Sequence, residues 1–480
     1  MLEGEAVVRV KGLWLRYRGS SDWVLRSLNL TVLQGEFTLI IGASGSGKTS
    51  LIRALIGVAQ NVFGAEILGE VELCSKRLEE MTVDEVQQCV QVVNQDPLTH
   101  FLDPLPYDDL LSYAERFYGE KAEDAVRNVL KLFSIDDIAE KPITALSGGQ
   151  LRRLAIAKAL IPNPRVLIFD EPLMWLDDKS VELFREVLKM LRMLKKSVII
   201  AEHRFLRVID LVDTVYRLEL GELKRVDVSR LGSKLHEIRN SSCCVDTQEN
   251  KDNSNNCEVV VELHNVWYRY RDSPWILKGV NLRVCRGDTI VIFGNNGSGK
   301  STLLRLIAGV IKPLSGSVKV YGDLIYIPQM PYLFITEDSI INEVKSLCKA
   351  RRLGENCIRR CVEILKLFGY NDLDKLPLHL SWGQLTRLVT LLGYSVTRGA
   401  ILLDEPFTGS SYLEALRLAK LLNSLQDVAK IVTVSSEDYL RFLVYGKPFI
   451  LQNGVLKSCR NICKPLDHSE KEVLLELIKA

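Results

Sequence analysis

The segment Gly42-Ala43-Ser44-Gly45-Ser46-Gly47-Lys48-Thr49 meets every fixed position of the phosphate-binding loop G-x-x-x-x-G-K-[ST], and the chain carries it twice. The second copy, Gly294-Asn295-Asn296-Gly297-Ser298-Gly299-Lys300-Ser301, lies 252 residues further on. Each follows a strand-like apolar run, Phe37–Ile41 or Thr289–Phe293, and precedes a helix-like one. Glycines let successive N–H groups turn into an anion nest, and the following helix adds its positive N-terminal end. Lys48 and Lys300 are then placed to reach the β/γ-phosphates, and Thr49 and Ser301 to offer a hydroxyl to Mg2+. A chain of 480 residues is long for a single core, and the duplication makes it two domains.

Composition narrows the choice of partner. With 62 basic against 60 acidic residues the net charge is +2, which offers no basic footprint for nucleic acid. No uncharged apolar run approaches the roughly 18–20 residues of a spanning helix, and Met1-Leu2-Glu3-Gly4-Glu5 does not read as a signal peptide, so a cytoplasmic chain is expected. Eleven cysteines contain no C-x-x-C pair, which disfavours a zinc ribbon or an iron–sulfur domain. Cys357 and Cys361 are spaced one helical turn apart, as are Cys459 and Cys463, and read as packing residues rather than ligands.

The two halves keep a common order. Alternating segments within 6–32 read as antiparallel strands leading into a parallel core. Trp14-Leu15-Arg16-Tyr17 recurs as Trp267-Tyr268-Arg269-Tyr270 at nearly the same distance before each loop lysine. Tyr17 and Tyr270 can stack an adenine, worth ~1–3 kcal/mol, or can simply pack on a neighbouring strand; spacing leaves both open. A strand ending in Gln95-Asp96-Pro97 matches one ending in Gln329-Met330-Pro331, which comes 18 residues sooner after its lysine, so an insertion around 63–81 is assigned to the first copy. Helices are expected over 108–118, 123–133, 339–349 and 357–368. Leu146-Ser147-Gly148-Gly149-Gln150 and Leu380-Ser381-Trp382-Gly383-Gln384 follow at equal spacing. The apolar runs ending in Asp170-Glu171-Pro172 and Asp404-Glu405-Pro406 come next, again at equal spacing. A buried parallel strand delivers such carboxylates at its carboxyl end, where Asp170 and Asp404 can hold Mg2+ through water and Glu171 and Glu405 can polarise the attacking water. A further strand ends in Glu202-His203; counting residues pairs His203 with Glu437.

This ordered set of phosphate loop, glutamine, LSGGQ, Asp-Glu run and histidine closely resembles the nucleotide-binding domain of ABC ATPases, over both halves. The resemblance implies two tandem α/β P-loop domains, each a mainly parallel sheet core with an antiparallel β lead-in and a helical subdomain. It places them at 6–224 and 258–458, with a polar linker at 225–257 and a helical tail at 459–480. It implies ATP and Mg2+ as cofactors and ATP hydrolysis as the reaction, with Gln95 and Gln329 assisting metal and water and His203 sensing the γ-phosphate. It further implies that the two domains pair within one chain, so that Ser147, Gly149 and Gln150 face one nucleotide and Ser381, Gly383 and Gln384 the other. Trp382 departs from the glycine of the pattern, Glu437 from its histidine and Ser411 from the acid found at Asp177, so the two sites are expected to differ, the first turning over faster. The segment Gln95-Asp96-Pro97-Leu98-Thr99-His100-Phe101 is similar to one in the ATPases of energy-coupling factor (ECF) importers. That implies integral membrane partners, a peripheral location on the cytoplasmic face of the cell membrane, and cargo selection by other chains. The alternative is a soluble twin ATPase acting on ribosomes or nucleic acid. It would call for an iron–sulfur cysteine run, paired zinc cysteines or a charged helical linker, none of which the sequence carries.

Overall fold

The computed structural model describes residues 4–43, 45–227, 257–271, 273–443, 446–459 and 470. The chain forms two compact units, one holding the first phosphate loop and the other the second. Ser44, nearly all of the 225–257 linker and most of the 459–480 tail lie outside the described residues.

In the first unit a six-stranded sheet runs in the order Glu222–Val226, Thr214–Glu219, Phe37–Ile41, Ser197–Ala201, Val166–Asp170, Val90–Val93. All neighbours are parallel except the terminal hairpin of Thr214–Glu219 with Glu222–Val226. Phe37–Ile41, Val166–Asp170 and Ser197–Ala201 are buried at every position, as strands covered on both faces must be, and this explains their unbroken apolar character. The second unit repeats the order with Val455–Ser458, Lys447–Gln452, Thr289–Phe293, Ala429–Val434, Ala400–Leu403 and Leu324–Ile327. The expected antiparallel lead-in is present in both: Ala6–Arg16 lies between Leu25–Leu33 and Glu66–Leu73, and Val259–Tyr268 between Leu277–Cys285 and Ser315–Val320.

The sheet pairing moves the insertion. Glu66–Leu73 holds the same place as Ser315–Val320, so most of 63–73 is shared. The extra segment is the hairpin strand Lys76–Arg77, a turn at Leu78–Glu80 and the helix Val83–Cys89. Counting from each loop lysine to its glutamine gives the length of the insertion but does not locate its ends. A disulfide between Cys74 and Cys89, with Cα atoms 6.1 Å apart, closes it at its base, and a second joins Cys257 to Cys285.

Helices Pro106–Tyr118, Ala122–Phe133 and Gly148–Leu160 form the helical subdomain of the first unit; Ile340–Ala350, Glu355–Leu367 and Trp382–Val396 form that of the second. Pro106–Tyr118, Ala122–Phe133, Ile340–Ala350 and Glu355–Leu367 agree with the four expected helices to within two residues. Among the described residues no helix is long and apolar enough to cross a membrane.

Candidate functional site

Four neighbouring strands of each sheet end at the same edge, and their carboxyl-end loops carry the candidate residues to one place. In the first unit Phe37–Ile41 feeds the loop from Gly42, and the helix Lys48–Leu55 starts directly after Gly47, whose φ of 105° only glycine adopts without strain. Gly45 and, in the second unit, Gly297 and Gly299 also have positive φ. A Cβ on Gly42 would lie 2.5 Å from the Leu218 carbonyl oxygen, so the loop is built tightly onto the sheet.

Lys48 is buried, and its Nζ donates to the carbonyls of Gly42 (2.8 Å) and Ala43 (3.0 Å) and lies 3.8 Å from Glu171 Oε1. Burial pushes its ammonium below the usual lysine range against the pull of Glu171, Glu202 and Asp170. Lys300 repeats this with Gly294 (2.5 Å) and Asn295 (3.0 Å), and stands 3.1 Å from Glu405 Oε1. Among the described residues, the ammonium of each unit meets two loop carbonyls and one carboxylate. The buried hydroxyls of Ser46 and Ser298 have no hydrogen-bond partner. A phosphate would supply the missing acceptor.

Asp170 is buried, and burial pushes its carboxyl up to about 6, offset in part by the Thr49 hydroxyl. Its Oδ1 has no partner. A buried carboxylate oxygen left unpaired is costly, and the Thr49–Asp170 pair offers the hard oxygen ligands that Mg2+ prefers. The residues therefore fit that ion. In the second unit Ser301 Oγ donates to Asp404 Oδ1 at 3.1 Å, so the same oxygen pair is present, but Asp404 also accepts from Tyr326 (3.0 Å) and Thr433 (3.0 Å). Val92 and Ala201 hold the Tyr326 and Thr433 positions in the first sheet. Asp404 is thus tied more firmly than Asp170.

Glu171 and Glu405 both have left-handed backbone, φ 47° and 49°, a conformation that costs a non-glycine residue about 1–3 kcal/mol and persists where the surroundings impose it. Glu171 Oε2 accepts from Gln95 Nε2 at 3.3 Å, Arg152 Nη2 holds the Gln95 carbonyl at 2.9 Å, and His203 Nδ1 lies 3.4 Å from Glu171 Oε1. Burial raises the Glu171 carboxyl, but His203 and Lys48 outweigh it and leave the group below the ordinary glutamate range. His203 Nε2 is buried without a partner. Glu405 is placed otherwise. It is almost wholly enclosed, and burial drives its carboxyl upward despite Lys300 and Ser435. Gln329 is half-buried at the end of its strand.

The strand register corrects the pairing of His203 with Glu437. Asp170 lies opposite Ala201 in the first sheet, and Leu403 opposite Val432 in the second, so His203 is matched by Ser435. Glu437 opens the short helix Glu437–Leu440 two residues later. The connection between the two strands is two residues shorter in the second unit, which residue counting alone could not reveal.

Ser147 caps the helix Gly148–Leu160: its hydroxyl accepts from the Gln150 amide (3.3 Å), and its own amide donates to Gln150 Oε1 (2.9 Å). Ser381 and Gln384 form the same reciprocal cap. Trp382 is half-buried and meets the Tyr332 ring edge to face, with centroids 6.3 Å apart, whereas nothing lies within 4 Å of a Cβ added to its counterpart Gly148. Gly383 is different, since a Cβ there would meet Glu414 Cβ at 2.6 Å. Asp177 and Ser411 each cap the helix that follows, accepting from Ser180 (3.0 Å) and Glu414 (3.3 Å). Tyr17 donates to Ser50 Oγ at 3.1 Å, and Tyr270 approaches Thr302 Oγ1 at 3.5 Å, so both rings are tethered to the helix behind the phosphate loop.

A family model described as ABC transporter matches the chain twice, over residues 25–174 and 277–408. A relative from Sulfurisphaera tokodaii, named "Putative ABC transporter ATP-binding protein", is 31% identical across 89% of this chain and 92% of its own. One of the same name from Treponema denticola is 27% identical across 94% and 96%. Among solved structures, one titled "RNase-L Inhibitor" aligns with a TM-score of 0.60 over 97% of this chain and 92% of that one at 19% identity, a likeness of fold alone.

Proposed function

Since the chain belongs to the ABC transporter family and is a two-domain ATP-binding ATPase, we propose that it is the motor subunit of an importer, of the ECF type, driving transport through integral membrane partners. In this reading the two ATPase domains are 6–224 and 258–458, and the chain works at the cytoplasmic face of the membrane. The observation that carries the reading is the Gln95 segment. At one end Gln95 touches Glu171; beyond it Leu98 and Leu102 are 50% and 92% exposed. The segment between is firmly built. Asp96 caps the turn Pro97–His100, His100 Nε2 accepts from the Asn94 amide at 2.9 Å, and Lys158 ties the His100 carbonyl to Asp109. An apolar partner surface pressed on these leucines therefore has a short, stiff route to the carboxylate.

The chemistry assigned to the chain is attack of water on the γ-phosphate of ATP, giving ADP and phosphate. Lys48 and the loop amides hold the phosphates. Glu171, kept ionised beside His203, takes the proton of the attacking water, and His203 Nε2 is available to the γ-phosphate. Thr49, Asp170 and Gln95, and Ser301, Asp404 and Gln329, would hold Mg2+, which supplies charge neutralisation on the phosphates. Tyr17 and Tyr270 take the adenine. Glu405, enclosed and tied to Ser435 and Lys300, is a poorer base, so the second site turns over more slowly than the first.

Fractionation of native cells followed by mild-detergent purification tests the motor reading. Recovery from membranes together with multi-span partners is expected. A chain that sediments with ribosomes in a nucleotide-dependent way would instead make it a soluble twin ATPase.

A further inference from the structure

The helical subdomain of the second unit brings together three thiols that no part of the ATP chemistry uses. Sequence spacing aligns Cys357 and Cys361 on one helix face; the fold adds Cys348 from the preceding helix, Ile340–Ala350. The Cys361 sulfur lies 3.9 Å from that of Cys348 and 3.9 Å from that of Cys357, and all three lie within 4.8 Å of one another. None is in a disulfide. Cys348 and Cys361 are buried, and Cys357 is half-buried. We propose that Cys348, Cys357 and Cys361 form a three-thiolate site for one thiophilic metal ion of the Zn2+ class.

The spacing is that of ligands. Zinc–sulfur bonds of ~2.3 Å put the sulfurs of a tetrahedral ion about 3.8 Å apart and those of a trigonal one about 4.0 Å apart. Two edges of the triangle already have this length. The backbone holding them is rigid: Leu353 donates to the Cys348 carbonyl at 2.8 Å, and Cys357 donates to the Gly354 carbonyl at 2.9 Å, so the turn between the helices is locked at both ends. Three protein ligands leave a fourth position for water, and Cys357 is the one part-exposed member of the three. Sulfur ligands select soft or borderline ions and reject Mg2+, so this site does not compete for the ion of the ATP chemistry. Burial and the neighbouring Cys357 push the Cys361 thiol up to about 11, and burial raises Cys348 further. Without metal, Cys348 and Cys361 are therefore held as S–H groups packed like small apolar side chains. As each metal–sulfur bond forms, one S–H proton leaves to solvent, and no electron is transferred.

The test titrates the full-length chain, stripped of metal with its Cys74–Cys89 and Cys257–Cys285 disulfides left intact, with Cd2+ as probe. The background is Cys243→Ser, Cys244→Ser and Cys463→Ser, so that among cysteines outside the two disulfides only Cys348, Cys357, Cys361 and Cys459 remain. Sulfur-to-cadmium charge-transfer absorption reports how many thiolates bind. One Cd2+ per chain is expected, displaced by Zn2+, with release of about three protons. Cys357→Ser should cut the band by about a third and weaken binding at least tenfold. Cys459→Ser should change neither. Absence of the band in the background chain, or a band that survives both Cys348→Ser and Cys357→Ser, overturns the proposal. Should Cys348→Ser or Cys361→Ser fail to fold, judged by circular dichroism and ATPase activity, the half-buried Cys357 carries the test alone.

Discussion

Ser435 donates both its amide and its hydroxyl to one oxygen of Glu405, at 3.0 and 2.9 Å, in the place where the first unit sets His203 against Glu171. One carboxylate is clamped from behind and enclosed; the other faces a base that is itself half free. This difference is what supports the proposal that the two ATP sites turn over unequally. Replacing Ser435 by Ala removes the O–H donor and leaves the N–H, so we expect a loss of about 1–3 kcal/mol in the second unit's thermal transition, with ATP still bound.

His100 gives the first unit a pH dependence. Burial, Lys158 and Arg152 hold its imidazole down at about 4, and its neutral Nε2 accepts from Asn94. The folded value lies below the ordinary 6.5, so the unfolded chain takes up the proton first on acidification. Stability is then fully present above pH 6.5 and is lost as pH falls from there toward 4, by about 1–3 kcal/mol once partial exposure is discounted. Calorimetry across this range should show the fall in the native chain and a shallower one in His100→Gln.

The disulfide between Cys74 and Cys89 closes a loop of 15 residues. Such a loop is worth about 3 kcal/mol through the unfolded state. Adding reductant should lower the first unit's melting temperature, and Cys89→Ser should lie at the reduced value whether or not reductant is present.

Much of this was legible in the sequence, and the exceptions share a cause. The loop, the Asp-Glu ends and the LSGGQ pair were readable because their spacing is equal in both halves, and equal spacing along strands and short turns survives folding. His203 was mispaired because a two-residue difference lies inside a strand connection, where only the hydrogen-bond register of Ala429–Val434 reveals it. The clamp of Tyr326 on Asp404 and the third thiol, Cys348, depend on which side chains two separate elements turn toward each other, and a linear count carries no such information. Trp382 departs from the glycine of the pattern, and the fold seats its ring edge to face against Tyr332, a contact that spacing does not show.

Gly149 and Gly383 occupy corresponding places, yet they should respond differently to alanine. A Cβ at Gly383 meets Glu414 Cβ at 2.6 Å, whereas one at Gly149 meets only Ser180 Oγ, at 3.7 Å. Gly383→Ala should destabilise the chain by about 1–3 kcal/mol, as overpacking does, and Gly149→Ala by less than about 1 kcal/mol, both read from denaturant unfolding.

The most direct measurement of the account is steady-state ATP hydrolysis by Glu171→Gln and Glu405→Gln in otherwise unchanged chains. Loss of a general base costs about 10²–10⁴-fold in the step it serves. We predict that Glu171→Gln removes nearly all turnover while Glu405→Gln keeps more than half. Equal residual activity in the two variants would contradict the account.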